Sequence, residues 1–227
     1  MKRIFTFIIL ISLFLSFSAC STNNEPNKAV KIGVIDSCIS NSIQETNNIV
    51  EINDIIQLDT NNNITHGSMI LSIINQNVSN VEIFYCSILD ANCVGKIENV
   101  AKAIDWCIDN NVDIITMSFA TLSDDNKVKQ CVERAIENNI IVIASCINLS
   151  DKICYPAMYD NVISVSEGFN SNATLILKGK KVKFVIDGVE MEKREVSFLT
   201  AYVCGKIANQ LSRGLTIEKI LKSPDFN

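Results

Sequence analysis

Short runs of valine and isoleucine alternate with amphipathic helical patterns along most of the chain, and this alternation restricts the folds it can adopt. Each run is apolar at nearly every position, which is typical of a strand buried on both faces. Between runs, apolar residues recur at helical spacing, as in 97–108 and 128–136. The pattern predicts an α/β fold, a mostly parallel sheet with helices on both faces. The predicted strands are residues 29–35, 81–89, 112–118, 139–145 and 161–166.

The remaining segments have weaker patterns. Residues 41–63 are polar and rich in asparagine, which predicts a surface excursion. Residues 66–74 have the spacing of a helix that enters the core. Residues 174–188 alternate weakly and predict a twisted hairpin. Helical spacing returns in 197–211, and a short closing helix is predicted at 215–221.

The N-terminal segment has the features of an export signal. Residues 1–20 begin with a basic pair, continue with an apolar run over 4–17 and end at Cys20 after two small residues. This ending resembles a bacterial lipoprotein cleavage box, in which Cys20 becomes the lipid attachment residue. Ordinary signal cleavage, giving a secreted protein, and an uncleaved anchor are the alternatives. Residues 21–28 read as a polar tether and 29–227 as a single domain, which this signal would place at the outer face of the cell membrane.

Charge and cysteine content narrow the expected partners. The formal net charge is -5 and no basic run is interleaved with aromatic residues, so nucleic acid is not an expected partner. The chain has nine cysteines, which in an exported protein suggests disulfides. Apart from Cys20, most lie in apolar runs, which favours free core thiols over the bridges Cys86–Cys93 or Cys146–Cys154. No cysteine pair has metal-finger spacing, and we predict no metal or cofactor.

The single histidine limits the possible chemistry. His66 is the only imidazole in the chain, so a mechanism that needs one at neutral pH must use it. Asp36, Ser118 and Asn148 follow predicted strands, and ligands of parallel sheets bind beyond the carboxyl ends of strands. Taken singly, each of these residues has an ordinary structural explanation as a cap, a strand end or a turn. Together they predict a functional site at one edge of the sheet.

Four segments, in the same order along the chain, resemble the motifs of subtilisin-like serine proteases. They are Val34-Ile35-Asp36-Ser37; His66-Gly67-Ser68; 113–120 followed by 142–148 and Tyr155-Pro156-Ala157; and 195–205. The resemblance covers roughly residues 29–222. It implies the three-layer α/β fold of that family.

The resemblance also implies the roles of the site residues. Ser197 would attack the scissile carbonyl, His66 would accept the serine proton and Asp36 would orient the imidazole. Asn148 and the amide of Ser197 would stabilise the oxyanion. An extended peptide or protein substrate would lie between two walls formed by Ser118, Phe119, Ala120, Ser145, Cys146 and Ile147. Apart from the resemblance, nucleophilic catalysis by serine itself requires these residue types, because serine is a poor nucleophile without an adjacent, oriented base.

Several glycines of the family pattern are replaced. The residues that stand in their places are Cys38, Ser72, Ala120, Ile147 and Glu195. The two walls would enclose a pocket for the substrate side chain that precedes the scissile bond. If the Ile147 side chain points into that pocket, the site should prefer small residues there. The leading hypothesis is an exported, membrane-tethered serine endopeptidase that has no large prodomain and trims a secreted peptide. The alternative is a degenerate family member that binds an extended peptide without cutting it.

Overall fold

A single sheet of eight strands is the centre of the part of the chain that the structure describes. The computed structural model describes residues 28–40, 48–56, 65–146, 154–167, 172–177, 180–185 and 196–223. The strands are β1 (Val30–Ser37), β2 (Ile49–Asp54), β3 (Val81–Leu89), β4 (Ile114–Met117), β5 (Ile141–Ser145), β6 (Ile163–Glu167), β7 (Asn172–Leu177) and β8 (Lys180–Val185). The helices are α1 (His66–Asn77), α2 (Ile97–Asp109), α3 (Asn126–Glu137), α4 (Val196–Ser212) and α5 (Ile217–Ile220).

The strand order is β2-β3-β1-β4-β5-β6-β7-β8. The pairs from β2 to β6 are parallel, and β7 and β8 extend the sheet as an antiparallel hairpin. Parallel neighbours need crossover connections, which α1, α2 and α3 provide. The predicted α/β class with a mostly parallel sheet is confirmed. In this order β1 lies between β3 and β4, so its carboxyl end is at the centre of the sheet edge.

Each face of the sheet has its own apolar cluster. Because side chains alternate along a strand, Ile32 and Val34 of β1 point to one face and Ile35 to the other. Helices α1 and α4 cover the first face, and α2 and α3 cover the second. Both faces are therefore dry, which explains why the central strands read as continuous apolar runs.

The structure corrects one prediction and refines another. Residues 41–63 were expected to be a surface excursion, yet β2 forms within them and pairs with β3. It was missed because it is an edge strand with exposed positions, among them Val50 at 57% exposure, so it gives no continuous apolar run. The hairpin predicted at 174–188 corresponds to β7 and β8, which begin two residues earlier.

The predicted export signal, Cys20 and the tether through residue 27 lie outside the described residues. In the ranges that are described, no helix combines the length and the apolar character needed to cross a membrane.

Candidate active site

Asp36 is buried at the carboxyl end of the central strand. Its side chain has no exposed surface. Oδ1 accepts a hydrogen bond from the backbone N–H of Ser37 at 2.7 Å, whereas Oδ2 is buried without a hydrogen-bond partner. A buried carboxylate needs hydrogen-bond donors or opposite charges at its oxygens. Beyond the Ser37 N–H, the stabilising group must therefore lie at Oδ1.

That group is His66, the first residue of α1. The helix begins there because the Thr65 hydroxyl caps it, accepting the N–H of Ser68 at 3.1 Å. His66 Nδ1 lies 2.7 Å from Asp36 Oδ1, and the imidazole is 16% exposed. An ionised carboxylate can only accept, so Nδ1 carries the proton and Nε2 is the basic nitrogen. The contact thus orients the ring and fixes its tautomer.

A compact set of contacts joins β1, β3 and the start of α1 behind this pair. The Gly67 N–H donates to Ser37 Oγ at 3.0 Å, and the Tyr85 hydroxyl donates to the Ser37 carbonyl at 2.5 Å. A Cβ at residue 67 would lie 1.9 Å from Tyr85 Oη, so only glycine fits. Burial and, second, the charge of Asp36 raise the pKa of Tyr85 well above its ordinary value, which keeps it a neutral donor. Tyr85 was missed at the sequence level because it lies in an apolar strand run that indicated only packing.

Ser197 lies in the first turn of α4 and is tied to the end of β4. Its hydroxyl donates to the Ser118 carbonyl at 2.9 Å, and the Ser118 hydroxyl donates back to the Ser197 carbonyl at 3.3 Å. The next residue, Phe198, stacks on the His66 ring with a centroid separation of 5.8 Å. The structure thus brings Asp36, His66 and Ser197 to one edge of the sheet. The hydroxyl proton of Ser197 is directed at the Ser118 carbonyl, next to the end of β4.

The two predicted substrate walls leave neighbouring strands. Met117 of β4 pairs with Ala144 of β5, so 118–120 and 145–146 begin side by side. Ser118 and Ser145 are buried, and Phe119, Ala120 and Cys146 are partly buried against the α2–α3 cluster. Ile147 and Asn148 lie outside the described residues, so the second wall and the oxyanion donor stay predictions.

A small apolar pocket lies beside Phe119. It is lined by Ile97, Val100, Phe119, Thr121, Ser123, Val128, Tyr155, Pro156 and Tyr159. Paired backbone hydrogen bonds between Thr121 and Tyr155, at 2.9 and 2.8 Å, hold two of its sides together. Sequence reasoning missed this pocket because its lining comes from four separate segments. Within the described ranges, no group of three or more histidine, cysteine or acidic side chains could hold a metal ion.

Comparison with known proteins agrees with this geometry. The family model for the subtilase family matches residues 27–176. The chain therefore belongs to the subtilase family. Ser197 lies beyond the matched span, and its place in the site rests on the contacts of α4 described above.

Individual relatives are distant in sequence. The minor extracellular protease Epr of Bacillus subtilis is 31% identical over 114 residues, which cover 48% of this chain and 18% of that protein. Subtilisin amylosacchariticus of Bacillus subtilis subsp. amylosacchariticus is 26% identical over 212 residues, covering 81% and 56%. The thermostable alkaline protease of Halalkalibacterium halodurans is 27% identical over 141 residues, covering 59% and 37%. The matched part of the chain thus covers between 18% and 56% of the length of these relatives.

Proposed function

We propose that this protein is a serine endopeptidase in which Asp36, His66 and Ser197 form the catalytic triad. The observation that carries the proposal is the 2.7 Å contact between His66 Nδ1 and Asp36 Oδ1. It holds the only histidine in an oriented tautomer supported by a carboxylate, beside a helix whose second residue is Ser197. Membership of the subtilase family and the protease names of the relatives support the same reaction.

The reaction begins with a rotation of the Ser197 side chain from the Ser118 carbonyl toward Nε2 of His66. Nε2 takes the hydroxyl proton as Oγ attacks the scissile carbonyl, and buried Asp36 stabilises the imidazolium that forms. The backbone N–H of Ser197 and the amide of Asn148 receive the negative charge that develops on the oxygen. The N-terminal end of α4 adds a favourable dipole for that charge. The imidazolium then gives its proton to the leaving amine as the C–N bond breaks, which leaves an acyl-enzyme on Ser197. Nε2 next takes a proton from a water molecule that attacks the ester carbonyl, and the proton passes to Ser197 Oγ as the carboxylic acid product leaves.

The substrate in this proposal is an extended peptide that pairs with 118–120 and 145–147 as an added strand. Export by the signal in residues 1–20, with a lipid attached to Cys20, would place the enzyme at the outer face of the cell membrane. A narrow task such as trimming the leader of a secreted peptide fits this placement.

Labelling with a fluorophosphonate probe tests the proposal, because only an activated serine reacts. We expect the wild type and Ser212→Ala to be labelled and Ser197→Ala to remain unlabelled, with peptidase kcat reduced about 10⁶-fold. Ser212 is a matched control, since it ends the same helix and binds only the Asn209 carbonyl, at 2.9 Å. Asn148→Ala should retain about 10⁻² to 10⁻³ of the activity. Undiminished cleavage by Ser197→Ala would refute the triad.

A second candidate is a peptide-binding protein that does not cut. The observation in its favour is the hydrogen bond from the Ser197 hydroxyl to the Ser118 carbonyl at 2.9 Å, which directs the hydroxyl proton at the end of β4. It predicts that extended peptides bind with equal affinity to the wild type and Ser197→Ala, and that the probe labels neither protein.

A further inference from the structure

Phe198 covers one face of the His66 ring. The two ring centroids are 5.8 Å apart and the ring planes differ by 23°, so the rings are stacked. Phe198 follows Ser197 in the first turn of α4, and its side chain is partly buried against the apolar cluster that α1 and α4 cover. Stacked aromatic pairs attract each other beyond the effect of apolar burial. The contact therefore joins the residue next to the proposed nucleophile to the ring of the proposed base.

The packing of α4 against α1 holds Phe198 in this place. Gly205 lies seven residues after Phe198, or about two helical turns, so the two residues lie on the same side of α4. A Cβ at residue 205 would lie 2.7 Å from the Asn77 Cβ and 3.0 Å from the Ile74 carbonyl oxygen, so the helices approach closely there. The aromatic stack at one end of this interface and the glycine contact toward the other fix how far Phe198 lies from His66.

A hydrogen bond at one atom does not by itself fix the plane of the imidazole. The χ2 torsion of histidine joins an sp³ carbon to an sp² carbon and has a broad energy profile. The 2.7 Å contact between His66 Nδ1 and Asp36 Oδ1 holds one edge of the ring. The stacked ring holds a face, because a turn about the Cβ–Cγ bond would tilt the imidazole into Phe198 or away from it. The two contacts together determine the direction of Nε2.

We propose that Phe198 is a positioning residue, whose stacked ring keeps the His66 imidazole in the plane of the Asp36 contact and so fixes the direction of Nε2. The use of Nε2 as a base rests on the proposed function, whereas the restraint on the ring does not. The π face of a phenyl ring also attracts positive charge. Phe198 therefore favours the imidazolium that forms when Nε2 takes the Ser197 proton.

Nuclear magnetic resonance of the protein without substrate tests the restraint separately from activity. His66 is the only histidine, so every imidazole signal belongs to it. We expect the Nδ1 proton to exchange slowly with water in the wild type and in Phe198→Tyr, which keeps a stacked ring. Phe198→Leu keeps an apolar side chain and a good helix former but loses the ring. In this variant the Nδ1 proton should exchange about 2- to 12-fold faster, the ratio that corresponds to the typical energy of a stacked pair. Equal exchange in Phe198→Leu and the wild type would overturn the proposal.

Phe84 provides a matched control. Its ring pairs with that of Trp106 at a centroid separation of 6.2 Å, in the apolar cluster on the opposite face of the sheet. Phe84→Leu thus loses a ring pair of similar spacing and should lower the free energy of unfolding without changing the exchange of the His66 Nδ1 proton. Faster exchange in this variant would mean that a general loosening of the fold governs the proton, which would also count against the proposal.

Peptidase kinetics test the effect on the base. Phe198→Leu should lower kcat about 2- to 12-fold with KM little changed, and Phe198→Tyr should restore kcat to near the wild-type value. A higher KM with unchanged kcat in Phe198→Leu would show that Phe198 contacts the substrate instead, and would contradict the positioning role. Inactivity of every form, the wild type included, would refute the proposed function, and the proton exchange would still decide whether Phe198 holds the ring.

Discussion

Replacing Gly67 with alanine should displace His66, the preceding residue in the sequence and the proposed general base, through a steric clash. The added Cβ would lie 1.9 Å from Tyr85 Oη and 2.5 Å from the Ser37 carbonyl oxygen. The tyrosine is fully buried and its hydroxyl is held by that same carbonyl at 2.5 Å. Neither group can turn away, because one is packed on all sides and the other is backbone. The start of α1 must therefore move, and with it His66.

The expected loss of stability follows from these contacts. Overpacking of a dense core typically costs about 1–3 kcal/mol. Separating the Tyr85 hydroxyl from the Ser37 carbonyl costs about 1–3 kcal/mol more, because both groups are buried. Alanine is favoured over glycine in a helix by only about 0.5–1 kcal/mol. The free energy of unfolding should thus fall by about 1–5.5 kcal/mol.

The effect on turnover should be larger than stability alone explains. Restoring ordinary contacts requires a movement of about 1 Å, and a misplacement of that size in a catalytic group lowers the rate by about 10²-fold. Urea denaturation and kcat on a peptide substrate measure the two effects separately. A Tyr85→Phe protein is the matched control for this clash, because it lacks the hydroxyl. In it, the ring atom nearest to the Cβ added at residue 67 would be Cζ, at 3.2 Å. In that background Gly67→Ala should cost less, with a coupling of about 1 kcal/mol or more. Additive penalties, or a Gly67→Ala protein with wild-type kcat, would show that this contact does not position His66.

Three further outcomes are expected. Asp125→Ala should lower the unfolding free energy by about 1 kcal/mol in urea titrations and leave kcat unchanged, because Oδ1 of Asp125 caps α3 through the N–H groups of Lys127 and Val128, both at 2.9 Å. Burial raises the pKa of the Cys204 thiol to about 12 in the folded protein, compared with about 8.5 in an unfolded chain. Between these two values the thiol ionises only in the unfolded chain, so the free energy of unfolding should fall by about 1.4 kcal/mol per pH unit. Urea titrations at pH 8, 9 and 10 should show a shallower decline in Cys204→Ala, and identical slopes would contradict the linkage. Cys20→Ser should move the protein from the membrane fraction to the medium or leave it unprocessed, and unchanged fractionation and mature mass would exclude lipid attachment at Cys20.

The elements that could be predicted from the sequence are those whose burial is uniform. Strands β1 and β3 are buried at nearly every position, so their sequences are continuous apolar runs, the pattern of a strand covered on both faces. Strand β2 is partly exposed, and its mixed sequence is indistinguishable from that of a polar loop. Its existence depends on pairing with β3, a tertiary contact that local patterns do not encode.

The candidate site divides in the same way. Asp36 and His66 could be found because one ends a buried strand and the other is the only histidine. The Tyr85–Ser37–Gly67 contact could not, because it depends on the register of β3 against β1, which shifts between Asp36 and Ser37. A slip of one residue would turn Tyr85 to the opposite face of the sheet. The Ser197 rotamer was equally beyond reach, since staggered side-chain positions differ by small energies and the choice depends on the Ser118 carbonyl.

The contacts that build the site span very different lengths of chain, and this gives its assembly an order in time. The partners in the Asp36–His66 contact are 30 residues apart, whereas those in the Ser197–Ser118 contact are 79 residues apart. Closing a longer stretch of chain costs more conformational entropy, so we expect contacts across longer stretches to form later in folding. Helix α4 also needs the finished β4 before it can dock. We therefore expect the Asp36–His66 contact to form before Ser197 reaches the site, so that the proposed triad is completed only when α4 docks.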